Sequence, residues 1–172
     1  MENPIYSTPT LEFIRVSAEY CKYLENCADE AIQPFAQTLC ALLPMLYLKA
    51  VMLPPVEELD GYVAPVVDED DYNYVRRNIH SVLRSLDDYL DVQVEDFRYS
   101  EQPVLCTVSE NLADIYQALR DLVETFREGH EEAMQVSLFE TVEEFKLTWG
   151  SKLLAALRVL HNIYIDSDGA EQ

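Results

Sequence analysis

An apolar stripe from Met134 to Tyr164 limits this chain to a fold built of helices. Its members are Met134, Leu138, Val142, Phe145, Trp149, Leu153, Ala156, Leu157, Leu160 and Tyr164, spaced three or four residues apart. That repeat is one face of an α-helix. A single helix of about 30 residues would reach ~45 Å at ~1.5 Å per residue, which is long for a chain of 172 residues. A bend or break is therefore expected near Gly150, the residue that weakens the helical pattern most.

Similar stripes recur upstream. Thr8 followed by Pro9 reads as a cap with proline at the first helical position, opening a helix from about Pro9 to Asn26 that carries Phe13, Ile14, Val16, Tyr20, Cys21 and Leu24. A second helix starts near Gln33 and Pro34. Its apolar residues Phe35, Leu39, Leu42, Leu43, Leu46, Tyr47 and Ala50 cover a broad arc, which predicts the central, most buried helix. Pro44 lacks a donor and clashes with the carbonyl of Cys40, so a kink or restart is expected there. Pro54 and Pro55 end that helix and open a long loop reaching Asp70.

The acidic run Asp68 to Asp71 caps a third helix with core residues Tyr72, Val75, Ile79, Val82, Leu83, Leu86 and Leu90. A second long connection covers about Asp91 to Cys106. Val92, Val94 and Phe97 alternate with polar residues there, but one such segment does not predict a sheet. Thr107 with Glu110 has the form of a capping box, Ser109 is a competing cap, and the helix that follows, Leu112 to Phe126, ends at Gly129. Together these elements predict an all-α antiparallel bundle of five to six helices, with one central kinked helix and two long loops. The expected organisation is a single domain over 1–172, its core about 8–165 and its polar tail, Asp166 to Gln172, frayed.

Charge excludes some function classes. Twelve basic residues against 32 acidic ones leave a net charge of −20, which repels phosphate backbones and anionic lipid headgroups. Neither direct nucleic-acid binding nor membrane binding is expected. The stretch from Leu39 to Leu53 is interrupted by Pro44 and Lys49 and is too short to span a bilayer. The opening MENPIYSTPTLEF has no basic or apolar leader pattern, so a cytoplasmic location is expected. Cys21, Cys27, Cys40 and Cys106 form no CxxC pair and no zinc-ligand spacing with His80, His130 or His161.

The carboxylates are unevenly spread. Between Glu57 and Glu101 there are 13 acidic and four basic residues. Asp87, Asp88 and Asp91 read as the end of the third helix, where three- and four-residue spacing brings side chains to one face. Glu95 and Asp96 follow closely. Such an oxygen-rich set suits a divalent metal such as Mg²⁺. The more ordinary reading is a solvated helix edge, partly paired with Arg84, since surface charge runs are rarely ligands. Tyr72, Tyr74, Tyr89 and Tyr99 fall in the same quarter of the chain, where phenols can donate to carboxylates.

Specific enzyme patterns fail. No glutamate lies three residues before any histidine, as a di-iron bundle needs. The Glu-Glu pairs at 57, 131 and 143 are followed at the last position of a Glu-Glu-x-x-Glu run by Gly61, Gln135 and Leu147. There is no GxGxxG, P-loop, EF-hand loop or nucleophile elbow. No catalytic or cofactor-binding residue is assigned.

Four segments carry a resemblance: YLKA (Tyr47 to Ala50), DDYLDV (Asp87 to Val92), NLADIYQALRDL (Asn111 to Leu122) and WGSKLLAALRVLH (Trp149 to His161). In their order and spacing the chain resembles an uncharacterised bacterial family, DUF family 5063, known only as a domain of unknown function. The likeness spans most of the chain. It implies a cytoplasmic helical domain and carries no activity, ligand or catalytic residue with it.

The leading expectation is a non-catalytic interaction module whose acidic face, built from Asp68, Glu69, Asp70 and Asp71 with the Asp87 to Asp96 run, meets a basic protein partner. The alternative is a metal-dependent hydrolase of small phosphorylated substrates. It would use Asp87, Asp88, Asp91, Glu95 and Asp96 as ligands, with Arg76, Arg77 or Arg84 as anion clamps. A weaker alternative is mimicry of nucleic acid by the acidic surface.

Overall fold

Residues 3–92 and 102–169 are described by the computed structural model of the chain. Its helices are α1 (Thr8–Glu25), α2 (Ile32–Val51), α3 (Glu69–Leu83), α4 (Val108–Glu128), α5 (Glu131–Glu144) and α6 (Gly150–Gly169). One 3-10 turn, Pro4–Tyr6, precedes α1, and another, Arg84–Asp87, follows α3. Two short strands, β1 (Asp88–Asp91) and β2 (Val104–Thr107), pair antiparallel with Tyr89 opposite Cys106. A small two-stranded sheet thus stands where none was expected. The predicted extended residues Val94 and Phe97 lie outside the described residues.

Helix starts follow local chemistry. The Ser7 hydroxyl accepts from Thr10 N, so the cap of α1 falls one residue earlier than Thr8. Asp68 accepts from Asp71 N while the Asp71 side chain accepts from Asp68 N, a reciprocal capping box at the start of α3. Thr107 accepts from Glu110 N at the start of α4, which ends on Gly129 at φ 78°, a left-handed position that suits glycine.

The most buried helix is α4, not α2. Val108, Leu112, Ile115, Tyr116, Leu119 and Leu122 are all buried on it, and it packs against α1, α3, α5 and α6. The buried Tyr20 hydroxyl of α1 donates to the Leu112 carbonyl at 2.7 Å. By contrast α2 buries Phe35, Ala36, Leu39, Leu43, Leu46 and Ala50, chiefly against α6, and leaves Met45, Leu48, Val51 and Met52 exposed. The residues of the predicted arc are buried or half-buried, but one side of the helix stays on the surface, so α2 is not the central element. Helix α2 runs unbroken through Pro44, which lies on that exposed side. At 20 residues it is, by length and composition alone, the one described helix apolar enough to cross a membrane.

The stripe from Met134 to Tyr164 is continuous, with no break at Gly150. A π-helical turn, Phe145–Trp149, joins α5 to α6, and Gly150 N donates to the Phe145 carbonyl. Trp149 stacks near Phe13 and Phe145, and its indole N–H donates to the Thr141 carbonyl at 3.1 Å. A Cβ at Gly150 would stand 2.6 Å from the Phe145 carbonyl oxygen. Glycine is here because the wider turn leaves no room for a side chain.

In an ordinary helix Gly→Ala stabilises by ~1 kcal/mol. Gly150→Ala is expected to do the opposite, lowering unfolding free energy by about 1–3 kcal/mol through overpacking against backbone. Urea denaturation of the two proteins measures it.

Candidate functional site

The sequence-predicted carboxylates fall in two places. Asp68 to Asp71 form the first turn of α3, and Asp87, Asp88 and Asp91 lie beyond its other end. Since α3 has 15 residues, the two groups are separated by ~22 Å of helix at ~1.5 Å per residue. They do not make one continuous face.

Nor do Asp87, Asp88 and Asp91 share a helical face. The helix stops at Leu83, where Arg84 takes a φ of 52°, a conformation that a continuing α-helix excludes. Asp88 is then exposed and Asp91 half-buried on alternating positions of β1. Asp87 is 1% exposed. Its Oδ1 accepts from Ser109 N at 2.7 Å, and its Oδ2 accepts from Ser109 Oγ at 2.6 Å and faces His80 Nδ1 at 2.8 Å. Ser109 and His80 meet the same carboxylate and not each other, so no serine–histidine nucleophile pair exists here. The group ties the end of α3 to the first turn of α4, where a negative charge is favourable. Glu95 and Asp96 lie outside the described residues. Among the described residues no group of three or more His, Cys, Asp or Glu side chains is placed to hold a metal ion.

A tyrosine does donate to a carboxylate in this region. Tyr72 OH bonds Asp114 Oδ1 at 2.7 Å, and Lys152 Nζ bonds Asp114 Oδ2 at 2.5 Å. Burial and the adjacent Asp114 push the Tyr72 phenol well above its ordinary range. Asp114 is thus neutralised by a donor and a cation.

A different set of carboxylates is not neutralised. The loop between α2 and α3 lies across α4 and α5, held by three contacts. Gln135 Nε2 donates to the Glu57 carbonyl at 3.0 Å, Gly61 packs closely on Val136, and Asp121 Oδ1 accepts from Val66 N and Val67 N at 2.8 and 2.9 Å. Between this strap and the helices is an open pocket of about 160 Å³, lined by Val63, Ala64, Pro65, Ala118, Asp121, Ser137, Glu140, Thr141 and Glu144. That is well above the ~10–15 Å³ that admits one water. None of Asp121, Glu140 and Glu144 takes part in an ion pair among the described residues, whereas Glu124 on the same helix meets both Arg120 and Arg127.

The electrostatic consequence falls on Glu144 and Asp121. Desolvation, then the charges of Glu140 and Asp121, raise the Glu144 carboxyl above its usual range. Desolvation raises Asp121 as well, partly offset by its two backbone donors. Ser137 is only 7% exposed and lines the pocket, and its carbonyl accepts from Thr141 Oγ1 at 2.7 Å. Sequence reading passed over this site. The signal was present as polar Ser137, Glu140, Thr141 and Glu144 at three- and four-residue steps beside the apolar stripe of α5.

Two outcomes follow. Asp87→Ala strands the Ser109 donors in a buried place and is expected to cost about 1–3 kcal/mol, read from chemical denaturation. A carboxyl raised in the folded state binds its proton more tightly there than in the unfolded chain. Its stabilising contribution is therefore complete below the ordinary carboxylate pKa and is lost as pH rises through the raised folded value. Glu144→Gln is thus expected to raise the melting temperature at pH 7 and give no such gain near pH 4.

Comparison with known proteins agrees with the fold and is silent on activity. A solved structure, the crystal structure of protein BF1032 from Bacteroides fragilis, is 36% identical to this chain with a TM-score of 0.84, covering 94% of this chain and 95% of that one. No curated protein matches. The family model for a domain of unknown function, DUF5063, matches residues 4–166, and the chain belongs to that family.

Proposed function

We propose that this protein is a non-catalytic module that binds a basic segment of a partner protein through an acidic surface. The observation that carries the reading is the unneutralised carboxylate set of Asp121, Glu140 and Glu144 in a chain of net charge −20. Such a surface attracts cations at long range and repels anions. Supporting it is the neighbouring acidic turn. Asp121 holds Val66 and Val67, the residues immediately before the Asp68–Asp71 run, so the pocket and that run adjoin along the strap. Glu69 and Asp70 there are exposed, while Asp68 and Asp71 are committed to the cap.

The surface proposed is therefore Asp68 to Asp71 with the pocket, in place of the longer face that included Asp87 to Asp96. Asp87 is unsuited because its carboxylate is buried and fully engaged. The test is association with a lysine-rich peptide measured across ionic strength. Affinity is expected to fall with salt. Glu69→Lys with Asp70→Lys is expected to weaken it roughly tenfold at low salt, at ~0.7 kcal/mol for each reversed charge. Salt-independent affinity, or an unchanged constant in the double variant, would remove this surface from consideration.

A further inference from the structure

Helix α2 carries two apolar seams, and the fold covers one of them. Phe35, Leu39, Leu43, Leu46 and Ala50 are buried, whereas Ala41, Met45, Leu48 and Met52 are exposed on the opposite side. The outer set advances by four, three and four residues, which is the 3.5-residue repeat by which one helix packs along another. We propose that this outer seam is the contact between two copies of the chain, packed α2 against α2.

Burial is the first argument. By length and composition α2 could cross a bilayer, yet only 33% of that span is buried. Met45, Leu48, Val51 and Met52 are 46–60% exposed. Single exposed apolar residues are ordinary, but a continuous row of them marks a surface that something covers.

Charge selects the occupant. All 32 acidic residues lie outside residues 31–56 and 145–165, the stretches that hold α2, the π turn and α6 as far as Ile165. Helix α2 packs chiefly on α6, and the Tyr47 ring meets Phe145 edge-on. The two helices therefore lie side by side as one layer whose sequence supplies no carboxylate side chain. On the other flank Lys49 bonds Glu12 at 2.8 Å and neutralises it. Two bodies of net charge −20 repel wherever their carboxylates meet, and this layer lets them touch without that cost. A basic partner finds no carboxylate here to pair with. An anionic bilayer is repelled by the acidic remainder of the chain.

The layer is also large enough. Helix α2 has 20 residues, so it is about 30 Å long, and two adjacent helices are ~20 Å wide. The resulting projection of about 600 Å² approaches the ~800 Å² that each partner buries in a standard interface.

Sedimentation equilibrium of the full chain across protein and NaCl concentration tests the proposal. A dimer of two 19.8 kDa chains is expected, tightening with salt as repulsion between the acidic bodies is screened. Met45→Glu with Leu48→Glu is expected to weaken self-association about a hundredfold, because each new charge enters a two-fold interface twice. Ala41→Glu, at an exposed small residue, acts in the same direction and reads the seam even if the double variant fails to fold. Tyr62→Glu, at an exposed apolar residue of the strap, leaves the dimer intact. A monomer under every condition overturns the proposal, as does a dimer unchanged by Ala41→Glu and by the folded double variant. Binding of the wild-type chain to phosphatidylcholine vesicles in place of self-association assigns the seam to a lipid surface and also overturns it. Glu69→Lys with Asp70→Lys leaves the dimer in place, so this reading and the basic-partner reading fail separately.

Discussion

Burial of α4 on several sides is the constraint that the remaining elements satisfy. A fully buried Leu, Ile or Val contributes about 1.5–3 kcal/mol, and Leu112, Ile115, Leu119 and Leu122 are all sealed from solvent. Helices α1, α3, α5 and α6 each cover part of it. Its N-terminus is fixed from outside by Asp87, which reaches the backbone of Ser109. The same side chain thus sets where the preceding chain must arrive, and the small sheet of β1 and β2 is the path between the two helices.

Much of this was legible in residue spacing. The stripes of α1, α4 and the last long helix, the Asp68 and Thr107 caps and the Gly129 stop are local signals, and local chemistry decides them. What spacing mis-stated are properties set by neighbours. The arc on α2 was read as a central position, and its residues are indeed buried or half-buried, yet Met45, Leu48 and Val51 beside it face outward, because periodicity reports which residues are apolar and not how many neighbours cover a helix. The Asp87 to Asp91 run was read as one helical face, yet Arg84 turns the backbone and Asp87 is taken into the core by Ser109, 22 residues further on. The pocket was missed for the same reason. Its walls come from the strap, α4 and α5, and no window of sequence contains all three.

Stability and recognition pull apart at the strap. The chain pairs several of its partly buried carboxylates with donors or cations, as at Asp114 and Glu124. It leaves Asp121, Glu140 and Glu144 without cations among the described residues, and desolvation of Asp121 and Glu144, with the neighbouring charges acting on Glu144, makes the folded state less favourable at neutral pH. Local inconsistency of this kind, in a protein whose other levels agree, is where a site is to be sought.

The π turn at Phe145–Trp149 carries a consequence for how such chains can vary in length. It accommodates one more residue than regular winding needs, which turns everything downstream by ~100°. Leu153, Ala156 and Leu160 are buried on α6 downstream of that rotation, in a helix that packs chiefly on α2. Losing a single residue there would restore ideal winding locally while swinging the whole inner side of α6 away from its neighbour. Gain or loss of a residue is thus ruinous in this helix, so the irregular turn acts as a phase-setting device for the bundle.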